Sequence, residues 1–282
     1  MGKKRILYVS QEISPYTKEN KRSNFCMNLP QVVQENDNDI RIFMPKFGTI
    51  NERRHQLHEV IRLSGMNLII DDFDHQLIIK VASVQQSRMQ VYFIDNEEYF
   101  PKRHYLNDPE GNFMQNNDER MMFFCKGVIE TVKKLGWAPD IIHCNGWFSA
   151  LVPMYIKKLY NKDPMFSNTK IYYTVFDNPF KGDLNNSLSE KLLFEDLQDK
   201  DVEMIGNPTF DNLNKFAISY SDAVVQGSKK LSKSLHNFIN NNNIPVLVKT
   251  DDDNFEEQCL SFYDSTKKTK KTKKNKQLVE VV

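Results

Sequence analysis

Three short stretches carry the side chains that site chemistry would need. The first is SPYTKENKRSNF, Ser14 to Phe25, directly after the strand-like run RILYVSQE. An α/β chain usually places phosphate-binding glycines at this point, because glycine lets backbone N–H groups approach an anion and the next helix N-terminus favours negative charge. This loop has none. It offers Lys18, Lys21 and Arg22 instead, with Glu12 just upstream. Two roles are open: an altered anion site built from those side chains, or a solvated basic turn, and the turn is favoured. The second stretch is HCNGW, in which His143, Asn145 and Trp147 end an apolar run. An imidazole, an amide and an indole at a strand's C-terminal end can hydrogen-bond or stack on a ligand, or serve as core groups satisfied internally. Core is preferred for Trp147. In the third, TVFDN, Phe176 precedes Asp177.

Other chemistries find less support. His55 and His58 in HQLH lack a third ligand, so no metal site is expected. No nucleophile elbow or Walker loop is present. Cys26, Cys125, Cys144 and Cys259 have no paired spacing and read as reduced thiols.

The elements that must position these groups follow from hydrophobic periodicity. RILYVS reads as a parallel strand and FCMNLPQVVQEN as a helix, with Phe25, Leu29, Val32 and Val33 at helical spacing and Pro30 awkward inside it. DIRIFMPKFG is a second strand, which completes a right-handed βαβ unit. MNLIIDDF, HQLIIKVASVQQ and MQVYFIDN read as a hairpin-like excursion returning to a core strand at 91–94, with Asp71 and Asp72 marking a turn. DERMMFFCKGVIETVKKLG is the clearest helix, closed by Gly136. PDIIHCNGW, KIYYTVFDN and DAVVQGS follow as strands separated by helices. The predicted fold is α/β, a Rossmann-like doubly wound and mostly parallel sheet with helices on both faces. Residues 1–250 form the domain. Residues 251–282, acidic and then lysine-rich (KKTKKTKKNK), show no apolar periodicity and read as a disordered tail.

Composition bounds the function. The chain has 282 residues, 40% hydrophobic and 27% charged, enough for a sizeable core. A formal net charge of +1 gives no case for nucleic acid or membrane as a partner. No apolar run approaches the roughly 20 residues of a membrane span, so a cytoplasmic protein is expected.

Several segments in this order resemble the N-terminal half of bacterial glycogen synthases and plant starch synthases: ILYVSQEISPYTK, LPQVVQENDNDIRIFMPKFG, VYFIDNEEYFPKRHYLND, NNDERMMFFCKGVIETVKKLGWAPDIIHCNGW and ALVPMYIKK, with ISYSDAVVQGS late. The resemblance covers about residues 4–230. It implies one of the two facing Rossmann-like domains of a GT-B glycosyltransferase, the one that mainly holds the acceptor α-1,4-glucan. ADP-glucose, or ADP, is the implied donor ligand, and no other cofactor is expected. The family loop reads Lys-x-Gly-Gly-Leu. Lys18 falls on its lysine and Glu12 on its glutamate, but Asn20, Lys21 and Arg22 stand at the glycines and leucine. Asn145 and Gly146 stand where the family has histidine and aspartate, Phe176 where it has a histidine linked to the reacting sugar, and Asp177 at an asparagine. A phenyl ring neither donates a hydrogen bond nor accepts a proton, so that function is expected to be lost. The resemblance implies a glucan-associated homologue with little or no transferase activity by itself. The alternatives are an active transferase completed by a partner chain that supplies the donor domain, and a non-catalytic scaffold.

Overall fold

The computed structural model describes residues 3–84, 87, 89–249 and 254–266. The strands are β1 (Arg5–Ser10), β2 (Asp39–Pro45), β3 (His58–Glu59), β4 (Met66–Ile70), β5 (Phe73–Ser83), β6 (Gln90–Asp95), β7 (Ile141–Asn145), β8 (Lys170–Val175), β9 (Ala223–Gln226) and β10 (Val246–Val248). They form one sheet in the order β10-β9-β8-β7-β1-β2-β6-β5-β3, with β4 paired to β5. From β10 across to β6 every pairing is parallel. Strands β5, β3 and β4 join antiparallel. The strand order reverses between β1 and β7, where Ser10 is in register with Asn145. In open α/β sheets ligands bind beyond the carboxyl ends of the strands at such a switch point.

The helices are α1 (Lys21–Glu35), α2 (Glu52–His55), α3 (Asn117–Lys134), α4 (Val152–Lys158), α5 (Leu188–Leu193), α6 (Asp199–Val202), α7 (Phe210–Ser219), α8 (Lys233–Asn241) and α9 (Phe255–Ser265). Successive strand residues point to opposite faces, and β7 shows which helices lie where. His143 faces α9, whose Tyr263 it meets, while Cys144 lies beside Cys125 of α3. Both faces are therefore covered, which is why β1, β7 and β8 are almost continuously buried apolar runs.

Local chemistry sets the connections. The β4–β5 hairpin turns through Asp71 and Asp72, both at positive φ (49° and 65°), as its two-residue loop requires. Gly136 takes φ 63° just past α3, which ends the helix there. Helix α1 continues through Pro30, and burial of Phe25, Leu29, Pro30 and Val33 offsets the one backbone hydrogen bond that proline cannot make. Gly48 is required by close approach: a Cβ there would lie 1.8 Å from the Pro101 carbonyl oxygen.

The expectation of an unstructured tail from residue 251 is corrected over α9. Phe255, Cys259 and Tyr263 recur every fourth residue, form one apolar face and are buried. The acidic residues between them hid this period. The lysine run from 267 onward lies outside the described residues.

Candidate functional site

The carboxyl ends of β1, β7 and β8 bring the three stretches together. At the first, the loop closes on itself. Asn20 caps α1, its side-chain oxygen accepting from the backbone N–H of Arg22 (2.8 Å) and of Ser23 (3.1 Å), and Ser23 Oγ accepts from the Asn20 N–H in return (2.9 Å). The same Asn20 donates through Nδ2 to Glu12 Oε2 (2.7 Å), and Arg22 Nε donates to Glu12 Oε1 (2.6 Å). The Arg22 and Ser23 amides and the Arg22 guanidinium are thus engaged within the chain. Lys18 and Lys21 stand exposed.

His143 lies in the interior rather than at the edge, where the sequence left a ligand role and a core role both open. It is fully buried, with Nδ1 2.5 Å from Tyr263 Oη and Nε2 2.6 Å from Thr174 Oγ1, so both ring nitrogens are taken. Burial pushes its pKa down to about 3, and the imidazole stays neutral. Trp147 is likewise interior, packed against Phe148 (ring centroids 5.2 Å apart) and Phe180 (4.8 Å).

Between them Gly146 adopts φ 81°, ψ 168°, a backbone conformation that side-chain-bearing residues rarely take. The space beside it holds Phe176. That ring is buried, meets Phe25 edge-on at 5.9 Å, and fills the place where Gly227 lacks a side chain; a Cβ on Gly227 would lie 2.4 Å from Phe176 Cε1. Asp177 lies just outside, exposed, its N–H donating to Ser228 Oγ (2.9 Å).

Two buried acceptors at this switch point have no hydrogen-bond partner among the described residues: Gln11 Oε1 and Asn145 Oδ1. Asn145 Nδ2 donates to Ser10 Oγ (3.2 Å), and Gln11 Nε2 donates to Tyr105 Oη (3.4 Å). A Cβ on Gly146 would lie 3.8 Å from Gln11 Oε1, so the unmet oxygen faces the glycine. Buried polar atoms without partners cost stability unless something supplies a donor. Fixed charge nearby is already paired: Lys46 with Glu52 (2.6 Å), and Lys80 with Glu52 (3.0 Å) and Asp95 (2.8 Å). Among the described residues no His, Cys, Asp and Glu group could hold a metal ion.

A family model for the starch synthase catalytic domain matches residues 5–243. The chain belongs to that family. A glycogen synthase of Chlorobium limicola is 38% identical over 194 residues, 68% of this chain and 40% of the relative. Another, from Chlorobaculum parvum, is 34% identical over 232 residues, 82% of this chain and 47% of the relative. This synthase-type chain therefore spans under half the length of those curated relatives. Among solved structures, the catalytic domain of starch synthase IV from Arabidopsis thaliana, bound to ADP and acarbose, superimposes with a TM-score of 0.70 at 19% identity, over 88% of this chain and 52% of that one. The fold is thus that of one half of a GT-B synthase catalytic domain.

Three residues that shape this switch point carried no clear mark in the sequence. Gln11 was hidden beside Glu12. Tyr105 reaches the site from the loop after β6. Arg120, fully buried in α3, braces that loop: Nε donates to the Tyr99 carbonyl (2.6 Å), one terminal nitrogen to the Tyr105 carbonyl (2.6 Å) and the other to Asn117 Oδ1 (2.5 Å). Desolvation pushes its pKa down to about 9. Its spacing of three and four residues from Phe123 and Phe124 was the available signal. No helix of the described residues is long and apolar enough to cross a membrane.

Proposed function

We propose that this chain holds an α-1,4-glucan through the N-terminal half of a glycogen synthase fold and carries out little or no glucosyl transfer by itself. The observation that carries this is the end of β8, where the Phe176 ring occupies the space over Gly227. The resemblance implies a histidine there, and no side-chain donor takes its place. The self-capped loop supports the same conclusion, since Asn20 engages the Arg22 and Ser23 amides, two of those that donor phosphates would use. Hydroxyl recognition is a different matter. The unmet oxygens of Gln11 and Asn145 at the switch point fit the hydroxyl donors of a sugar.

A partner chain completing the transferase is the second possibility. Exposed Ile69, Phe73 and Phe194 favour it, because the Lys126 ammonium donates to the Ile69 carbonyl and pairs with Glu195, which sets the β4–β5 turn beside the end of α5. Radiolabelled glucose transfer from ADP-glucose to glycogen separates the two. The purified protein is expected to show no incorporation above background. Incorporation by the purified protein alone would overturn the proposal, and incorporation only after adding lysate would favour the completed enzyme.

A further inference from the structure

A cleft of about 580 Å³ lies apart from the switch point, between the loop after β1, helices α1 and α2, and strands β3 and β5. In the sheet order, β2 and β6 stand between β5 and the β1–β7 junction. Sites for small organic molecules fall in this size range and combine an apolar floor with a few polar groups. The local sequence builds both. Gln56 takes φ 53° at the end of α2 and turns the chain into β3, where His58 pairs antiparallel with Val81 of β5. Tyr16, from the loop, packs edge-on against the His55 ring and against Phe93 of β6, with ring centroids 5.0 Å apart in each case. Met27 of α1 and Val81 add aliphatic lining.

The polar groups around the cleft are donors without partners. Tyr16 is 6% exposed and lines the cleft, yet its hydroxyl makes no hydrogen bond among the described residues. Burial pushes its pKa up to about 12, so it remains a neutral donor. The exposed Arg54 guanidinium has no ion pair among the described residues, and the rings of His55 and His58 make no hydrogen bond there. None of the described residues lining the cleft is Asp or Glu. Glu52, on the same turn as Arg54, is drawn away to Lys46 (2.6 Å) and Lys80 (3.0 Å). Burial and the Arg54 charge hold His55 below the ordinary imidazole pKa. Arg54 is the one Lys or Arg among the described lining residues. A guanidinium fork matches a carboxylate, and a single fixed charge suits a monoanion better than a phosphate dianion.

We propose that this cleft is a binding site, separate from the switch point, for a small organic carboxylate with a flat apolar body. Arg54 pairs with the carboxylate, the Tyr16 hydroxyl and the imidazoles donate to its oxygens, and the body packs on Met27 and Val81. The site does not depend on glucan binding at the switch point.

The test titrates naphthalene-2-carboxylate into the full chain and follows ¹⁵N-histidine signals. Saturable binding is expected below about 1 mM, with the His55 and His58 signals shifting and that of buried His143 unchanged. Arg54→Gln, at an exposed position that the fold does not need, is expected to weaken binding about tenfold or more. The neutral naphthalene-2-carboxamide is expected to bind the parent more weakly by about the same factor. Tyr16→Phe keeps the ring and is expected to cost about threefold. Excess maltoheptaose is expected to leave the carboxylate's affinity unchanged. No saturation up to about 10 mM, equal affinity in the parent and in Arg54→Gln, or displacement by maltoheptaose would each overturn the proposal. Equal binding of the amide and the carboxylate would overturn it as well, because the cleft would then be reading only the apolar body.

Discussion

The loop after β1 and the switch point beside it lie within a few residues of each other and have met opposite fates. In the loop two of the three altered polar groups have found partners inside the chain, while Lys21 stays exposed: Asn20 caps the helix and holds Glu12, and Arg22 is neutralised by the same carboxylate. At the switch point Gln11 Oε1 and Asn145 Oδ1 are buried and have no partner among the described residues. Satisfied groups stabilise the fold and leave little for a ligand, whereas unsatisfied ones cost stability and gain from a donor. On the function proposed above, the difference separates a closed phosphate side from an open hydroxyl side.

The largest expected effect concerns His143, which like the loop residues has its polar atoms satisfied inside the chain. Its folded pKa is pushed down to about 3, so below the ordinary 6.5 the unfolded chain takes up a proton that the folded chain refuses. Stability from this group is whole above pH 6.5 and is lost as pH falls toward 3, by on the order of 5 kcal/mol. Urea unfolding across that window is expected to show a slope that His143→Gln removes. Parallel curves would mean that His143 is open to solvent after all.

Next is the seal at β8. Gly227→Ala is expected to cost about 2 kcal/mol, because the new methyl meets the Phe176 ring. The same change on a Phe176→Ala background is expected to cost much less, giving a clear interaction energy in a double-mutant cycle. Additive effects would contradict the repacking described for this edge.

The smallest stability effect sharpens the comparison most. Asn20→Gly is expected to cost only a few tenths of a kcal/mol, yet it releases the amides of Arg22 and Ser23. Phosphate binding followed by amide shifts should then appear in the variant and be absent in the parent. Equal binding in both would show that the loop was never closed.

The sheet was readable in the sequence because buried parallel strands announce themselves as unbroken apolar runs such as IIHC and KIYYTV. Gly136 and the Asp71–Asp72 turn were readable for a similar reason, since backbone need limits residue choice. Helix α9 was not, because its buried residues Phe255, Cys259 and Tyr263 come one per turn among acids and polar groups. The fate of the loop was also hidden. Lys18, Lys21 and Arg22 look alike in sequence, and only the structure shows Arg22 folded back on Glu12 while the lysines stay in solvent. His143 and Trp147 were visible as candidates, but which face of the sheet each met depended on a helix the periodicity did not disclose.

The most direct measurement of the central claim is a paired titration of the intact protein with maltoheptaose and with ADP, followed by calorimetry. Saturable oligosaccharide binding is expected below about 1 mM, weakened by Gln11→Leu and by Asn145→Leu, with no ADP binding in the same range. Binding of ADP without binding of the oligosaccharide would contradict the account.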